Sequence, residues 1–388
     1  MGSRTGSTIR WSGLLLVLFL SPCLVHGQVG AKATKEAAKA TTRVSEKERP
    51  PFDLTYVPSD ATSVLAIRPS AIFHDPAMKP LACFLNQSPI VQMLLLEYIP
   101  FTELKLPIEE IEQVIIFSNL KSEDTWEVGT VMIRAAHHFN WLKQMRHIDP
   151  KTKETRHKDQ VYYSSHLKVG KGDFFSDLTI PPKATFRYLI PDDRTLVLVP
   201  PSLIRAVEKG EKIQRPHFSW DKEWKHVERD LYAMAYENRP TGGASKKQSG
   251  DETPFPEWTA LTQNAVTMVA GVDWKDGIDL QAYLAYKDPA AAEQAIKDLK
   301  PFLAQSRREL VENAPLDVPE PERQVIAFQM ELWKRLYDRV RITRRESTVG
   351  VHTKAKMNVA EMAKGLMSQF TLGESGGSRV VPQAGKSE

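Results

Sequence analysis

Apolar residues recur at two different spacings along the chain, and the spacing predicts the kind of element. Short apolar runs of strand length alternate with stretches whose apolar residues lie three or four positions apart, as on one helix face. In the first half, the runs predict strands at 63–67, 111–118, 126–134 and 161–167. Helices are predicted after Pro69, after Ser88 and over 139–148. The resulting order, β-α-β-β-α-β, is that of ferredoxin-like folds.

The second half repeats this pattern with longer helices. The segment Tyr56–Ile72 recurs without a gap as Tyr188–Ile204, which indicates a duplicated unit. Strands are predicted at 195–199, 265–274, 278–286, 339–343 and 348–353, and helices at 201–209, 218–236, 289–303, 321–340 and 359–370. We therefore predict an α+β protein of two tandem ferredoxin-like (βαββαβ) units, with extra helices in the second.

Composition changes mark the boundaries of these units. Residues 1–27 have the pattern of a signal peptide, because Arg4 and Arg10 precede the short apolar run Leu14–Leu20. That run is shorter than a membrane-spanning helix requires. We expect an exported, periplasmic or extracellular protein with no transmembrane domain in its mature chain. Retention of the signal as an anchor and lipidation at Cys23 are the alternatives.

The remaining boundaries follow from polar stretches. Residues 28–50 are rich in Ala and Lys and predict a flexible tether. The two α+β units are expected over 51–180 and 181–370, with a polar insert near 242–254 in the second unit. Residues 371–388 are expected to be a disordered tail.

Charge and cysteine content exclude some classes of function. Hydrophobic residues make up 41% of the chain and charged residues 26%, so a globular core is expected. Of the formal net charge of +4, Arg4 and Arg10 contribute two, and the nearly neutral remainder predicts no nucleic-acid partner. The only cysteine after the signal is Cys83, so no internal disulfide can form. It is interpreted as a small buried residue, with a nucleophile as the alternative.

Catalytic signatures are incomplete or misplaced. The chain contains no phosphate-binding G-x-x-x-x-G-K-[ST] and no H-E-x-x-H. Gly373–Gly377 matches G-x-S-x-G but lacks the strand and helix that a nucleophile elbow needs. Ser165–Lys168 matches S-x-x-K, but it falls on a predicted strand, which does not align the two side chains. If the protein is an enzyme, its acid and base would be separated carboxylates such as Glu109, Glu110, Asp192 and Asp193.

Four other groups of residues are candidates for binding sites. Asp273, Asp276 and Asp279 could offer oxygen ligands to a cation, but a hairpin with polar outward positions explains them equally. The basic segment Lys151–Lys158 is interpreted as a solvated loop. The histidines that could bind a metal are His137, His138, His147, His157 and His166. The aromatic residues that could stack on a ligand, or form core, are Trp220, Trp224 and Tyr232. No metal or cofactor is predicted.

The opening of the folded region carries one resemblance. The stretch FDLTYVPSDATSVLAIRPSAI, behind a signal peptide and an Ala/Lys-rich spacer, resembles the start of uncharacterised exported proteins of planctomycete-type bacteria. This resemblance implies export and no particular activity. The leading hypothesis is a non-catalytic binding or envelope-associated protein whose partner is a protein or envelope component. An envelope hydrolase, or a membrane-tethered structural protein, are the alternatives.

Overall fold

The protein forms one large sheet with helices on it. A computed structural model describes residues 49–75, 106–122, 125–157, 160–165, 186–199, 201–209, 211–238, 264–274, 277–312 and 320–356. The strands are β1 (Ser63–Ile67), β2 (Ile111–Ser122), β3 (Thr125–Ala135), β4 (Lys153–His157), β5 (Gln160–Ser165), β6 (Phe186–Leu189), β7 (Thr195–Leu198), β8 (Tyr232–Glu237), β9 (Ala265–Trp274), β10 (Ile278–Tyr286), β11 (Arg341–Arg345) and β12 (Thr348–Ala355). The helices are α1 (Pro69–His74), α2 (Trp141–Ile148), α3 (Pro201–Lys209), α4 (Asp221–Trp224), α5 (Pro289–Glu312) and α6 (Glu320–Tyr337), with a 3-10 turn at Ile108–Glu110.

The sheet confirms the α+β class but not the predicted pair of units. Within the described residues, 12 strands follow the order β11-β12-β10-β9-β8-β1-β2-β3-β7-β6-β5-β4. Each pairing is antiparallel. The split βαβ arrangement of a ferredoxin-like unit would bring two strands together in parallel. Two tandem ferredoxin-like units are therefore not confirmed.

The repeated segment forms similar local structure at two places in the sheet. Ser63–Ile67 and Thr195–Leu198 are both strands, and each is followed by a helix that begins at a proline, Pro69 or Pro201. Proline suits the first helical position because its missing N–H would have no partner there. The likeness ends at the first tyrosine, because Tyr188 belongs to β6, whereas Tyr56 lies in a turn.

One face of the central strands packs against a cluster of aromatic side chains. Trp220 and Trp224 are 0% and 1% exposed, and they pack against β-strand alanines such as Ala233 and Ala235. The small side chains leave room for the indole rings. At Gly271 on the neighbouring strand, a Cβ atom would collide with Asp230 and Val227.

The predicted helix at 218–236 is wrong over most of its length. Only Asp221–Trp224 is helical, and Tyr232–Glu237 forms β8 beside β1. The apolar residues from Trp220 to Leu231 have helical spacing, but they reach the core from a series of turns. From Tyr232 onward, large and small residues alternate with a period of two, which suits a strand with one face against the tryptophans.

Two strands were missed because they lack a buried face or are very short. The segment Lys151–Lys158, predicted as a loop, contains β4 at the end of the sheet. All of its residues but His157 are exposed, so no alternation of apolar and polar residues marks it. The four-residue strand β6 was not predicted, because four residues are too few to show an alternating pattern.

The last residues of the predicted tether belong to the folded body. Arg49 is buried and forms a 3.0 Å ion pair with Asp273 of β9. The next residue, Pro50, accepts a hydrogen bond from the buried Arg68, whose guanidinium lies 4.0 Å from the centre of the Phe52 ring. These contacts hold the start of the described chain against the sheet.

Several predicted segments lie outside the described residues. They are the signal peptide, the tether up to residue 48, the helix after Ser88, the polar insert at 242–254, the helix at 359–370 and the tail. None of the helices in the described part combines the length and the apolar composition that crossing a membrane requires.

Candidate functional site: an apolar cavity between the sheet and two helices

A cavity of about 120 Å³ lies between the sheet and the helices α5 and α6. Its floor comes from β8, β9, β10 and β12, on the face opposite the tryptophan cluster. The pairing register explains where it forms. Met234, Ala270, Ala282 and Val351 stand directly opposite one another on the four strands, so their side chains make one row across the sheet. Two of the four are alanines, and this row is the middle of the cavity floor.

The helices cover the rows on either side of the alanine row. Helix α5 brings Leu299 into a core cluster with Leu284 and Val349. These two residues form the row next to the alanine row on one side. Helix α6 brings Leu336 into a separate cluster with Val272. Val272 belongs to the row next to the alanine row on the other side. Neither cluster includes the alanines at the centre. The space thus lies between the two clusters, over small side chains.

The polar side chains of the cavity wall use their hydrogen-bonding atoms elsewhere. Thr353 donates its hydroxyl to the carbonyl oxygen of Leu336 at 2.6 Å. Gln281 borders the cavity, but its side chain lies on the other face of the sheet, where it donates to Asp230 Oδ2 at 2.9 Å and accepts from the Tyr283 hydroxyl at 3.1 Å. Burial, and then the nearby Asp298, raises the pKa of Tyr286 to about 12, so this wall residue is neutral at ordinary pH. The wall therefore presents mainly hydrocarbon.

The volume and lining limit what the cavity can hold. An engineered apolar cavity of about 150 Å³ stays dry and binds benzene or xenon. A similar space here suits one ring or a few methylene groups, the size of a ligand end rather than of a whole lipid. The described lining contains no carboxylate, imidazole or thiol. It can bind an apolar group but offers no acid, base or nucleophile.

One ion pair connects the two helical layers near the cavity. Arg307 of α5 lies 2.5 Å from Asp338, the residue after α6. Arg307 is one helical turn beyond Leu303, which lines the cavity, and Asp338 follows the lining residue Tyr337. The pair is about half exposed and links α5 to the end of α6 beside the cavity.

The carboxylates proposed for an enzyme lie on two different turns. Glu109 and Glu110 lie on the 3-10 turn, and Asp192 and Asp193 are exposed in the turn before β7. Asp193 contacts Nδ1 of the exposed His138 at 3.0 Å, and this hydrogen bond lowers the pKa of Asp193.

A partly buried charged network, which the sequence did not predict, lies beside these residues. Glu112 contacts the guanidinium groups of Arg194 and, at 3.6 Å, of Arg134. Arg134 also lies 3.5 Å from Asp53. Burial, followed by the charges of Asp53 and Asp192, raises the pKa of Tyr56 to about 12. Opposite charges are matched within this network, and it joins the segment before β1 to β2, β3 and the turn before β7. We interpret it as structural.

The residues weighed as metal ligands are separated or paired with cations. Asp273 pairs with Arg49, whereas Asp279 contacts His352 at 2.7 Å and Lys354 at 3.5 Å. His137 and His147 are exposed and His157 is half-buried. Within the described residues, no group of three or more His, Cys, Asp or Glu side chains could hold a metal ion. Asp276 and His166 lie outside that part of the chain.

The remaining candidates are core residues or lie outside the described part. The Trp220 ring stacks on Phe218, with 4.3 Å between the ring centres, and both tryptophans are fully enclosed, so they cannot stack on a ligand. Tyr232 packs against the cluster under α6. Ser165 donates to Asp149 at 2.6 Å. Cys83, Lys168 and residues 373–377 lie outside the described residues.

The sequence alone predicts only part of the cavity. The alternation in the predicted hairpin at 265–286 places Ala270 and Ala282 on the same face. Which helix covers which row could not be read from that alternation. Comparison of the chain with known protein families, characterised proteins and solved structures finds no match.

Proposed function

We propose that this is an exported, non-catalytic binding protein that holds the apolar end of a ligand between its sheet and the helices α5 and α6. The observation that carries this proposal is the cavity over Ala270 and Ala282, whose lining is mostly apolar and whose Thr353 hydroxyl is already hydrogen-bonded. Mostly apolar pockets with few polar groups are the usual form of small-molecule sites. Export is supported by the composition of residues 1–27.

The size of the cavity limits the affinity it can provide. A ring-sized group buries about 150–250 Å². At about 25 cal/mol per Å² this is worth about 4–6 kcal/mol. Part of that is lost to the cost of association. The cavity therefore supports weak binding of a small probe, and a natural ligand of higher affinity would extend beyond the cavity.

Filling the cavity tests the proposal. The Ala282→Leu variant adds three carbon atoms over the middle of the floor, and at about 0.8 kcal/mol per buried methylene it should stabilise the fold by up to about 2 kcal/mol. Val266→Leu is the matched control, because Val266 lies on the adjacent strand but is 41% exposed. The melting temperature of each protein is measured with and without toluene and octanoate.

The expected result is that both probes raise the melting temperature of the wild type and of Val266→Leu. Ala282→Leu should melt higher without a probe and show no further rise with one. The proposal is refuted if neither probe shifts the wild type while Ala282→Leu still melts higher. The space would then be only a void in the packing.

A further inference from the structure

The strand β11 ends the sheet on the side of the cavity helices and is strongly basic. It pairs with β12 and with no other strand of the described part. Its sequence, RITRR, contains three arginines and no acidic residue, and each residue but Ile342 is exposed. An open strand edge offers unpaired N–H and C=O groups to any extended chain that can lie beside it.

The register identifies the backbone groups that face outward. The β11–β12 hairpin has the two-residue connection Glu346-Ser347, so Arg345 and Thr348 form its closing hydrogen-bonded pair. Hydrogen-bonded and non-hydrogen-bonded pairs alternate along antiparallel strands. Hence Arg341, Thr343 and Arg345 direct their backbone groups toward β12. Ile342 and Arg344 direct theirs away from the sheet.

The arginines of this edge are only partly neutralised. Arg344 lies 3.3 Å from Glu293 of α5. Arg341 and Arg345 form no ion pair with an acidic side chain among the described residues. At the other end of the sheet, β4 is different, because its Glu154 lies 3.9 Å from Arg156 and 3.8 Å from Arg146. The two sheet edges therefore differ in charge as well as in position.

We propose that β11 binds an extended acidic segment of a partner protein, which adds to the sheet as a further strand. The partner's backbone would hydrogen-bond to Ile342 and Arg344, and its carboxylates would pair with the guanidinium groups of Arg341 and Arg345. Association of two β11 edges from different copies would bring their arginines together and is disfavoured. The surface is distinct from the apolar cavity, so this proposal does not depend on the function proposed above.

Binding is tested with an eight-residue peptide of alternating Glu and Val, labelled for fluorescence anisotropy. The wild type should bind it, and should not bind the same peptide with Lys in place of Glu. The double variant Arg341→Glu/Arg345→Glu should lower the affinity at least tenfold. Lys153→Glu on β4 should leave it unchanged.

Two variants at one position separate backbone pairing from charge. Arg344→Ala removes the side-chain charge and keeps the outward N–H, whereas Arg344→Pro removes both. Proline is tolerated on an edge strand where the N–H faces solvent. We expect Arg344→Pro to bind the peptide about three- to tenfold more weakly than Arg344→Ala, as the loss of one hydrogen bond implies. A second measurement uses wild-type protein with a peptide whose alternate amides are N-methylated, and it should show a similar loss.

Each contrary outcome overturns the proposal. If the Glu–Val peptide does not bind the wild type, the arginines serve only to prevent edge-to-edge pairing. If N-methylation has no effect and Arg344→Pro binds as well as Arg344→Ala, charge alone holds the peptide and no strand is added. If phosphatidylglycerol vesicles bind through Arg341 and Arg345 while the peptide does not, the partner is an anionic membrane surface.

Discussion

Replacing Arg49 by methionine should destabilise the protein far more than its place at the end of a predicted tether implies. The Arg49 and Asp273 side chains are only 9% and 8% exposed, and Arg49 also donates to the carbonyl oxygen of Arg229 at 3.3 Å. Methionine keeps much of the length and apolar contact of arginine but removes the charge. Asp273 would then be a buried carboxylate without its cation.

The expected cost follows from what remains around Asp273. Its Oδ1 still accepts from the Trp274 backbone N–H at 2.8 Å, but its Oδ2 is buried with no hydrogen-bond partner among the described residues. Removing one partner of a buried ion pair typically costs about 3–5 kcal/mol. Whole proteins are stable by only about 5–15 kcal/mol. The change should therefore remove a large part of the stability.

Urea unfolding followed by tryptophan fluorescence measures this cost. The set contains the wild type, Arg49→Met, Asp273→Asn and the double variant. Asparagine keeps an acceptor for Trp274 and removes the charge, so the double variant should recover most of the stability lost in Arg49→Met. A loss below about 1 kcal/mol in Arg49→Met, or a double variant no more stable than Arg49→Met, would refute a buried pair and an anchored chain start.

Two further predictions concern packing and pH. Gly271→Ala should lower the free energy of unfolding in urea by about 1–3 kcal/mol, because the new Cβ would lie 2.7 Å from Val227 Cγ1 and closer still to Asp230. Gly350→Ala is the milder control, because its Cβ would meet only the Thr343 hydroxyl at that distance. Stability should fall as pH rises from 10 to 12. Burial raises the pKa of residues such as Tyr188 to about 12, so the folded state keeps protons that the unfolded chain loses near pH 10. Unfolding curves that do not change over this range would contradict the second prediction.

Local chemistry made the hairpins and several helices predictable. The strands at 265–274 and 278–286 are predicted from their apolar runs, and Gly277 between them has a φ of 135°, a conformation that favours glycine. Asp288 precedes the predicted helix at 289–303 and caps it, because its side chain accepts from the Ala291 backbone N–H at 2.8 Å. In both cases the interacting residues lie only a few positions apart.

Features set by distant partners were not predictable. Arg49 and Asp273 are separated by 224 positions, and nothing near Arg49 in the sequence indicates that it is buried. The alanine row of the cavity is visible as small residues on one strand face. Whether these residues line a cavity depends on which rows of the sheet the two later helices pack against. The strand order was unpredictable for the same reason, because it depends on which distant strands pair and not on the sequence of any one strand.

The order of the strands in the sheet has a consequence for when the protein can fold. Strands β6 and β7 lie between β3 and β5, and β8 adjoins β1, so early strands find their neighbours only in the later half of the chain. Ser63, for example, pairs with Tyr236. Such a high contact order delays folding, because distant segments must meet before the sheet is continuous. While the chain is being made, its first half has no complete set of neighbours to fold against. If the chain is exported unfolded, as proposed above, this delay would keep its first half unfolded until the second half follows.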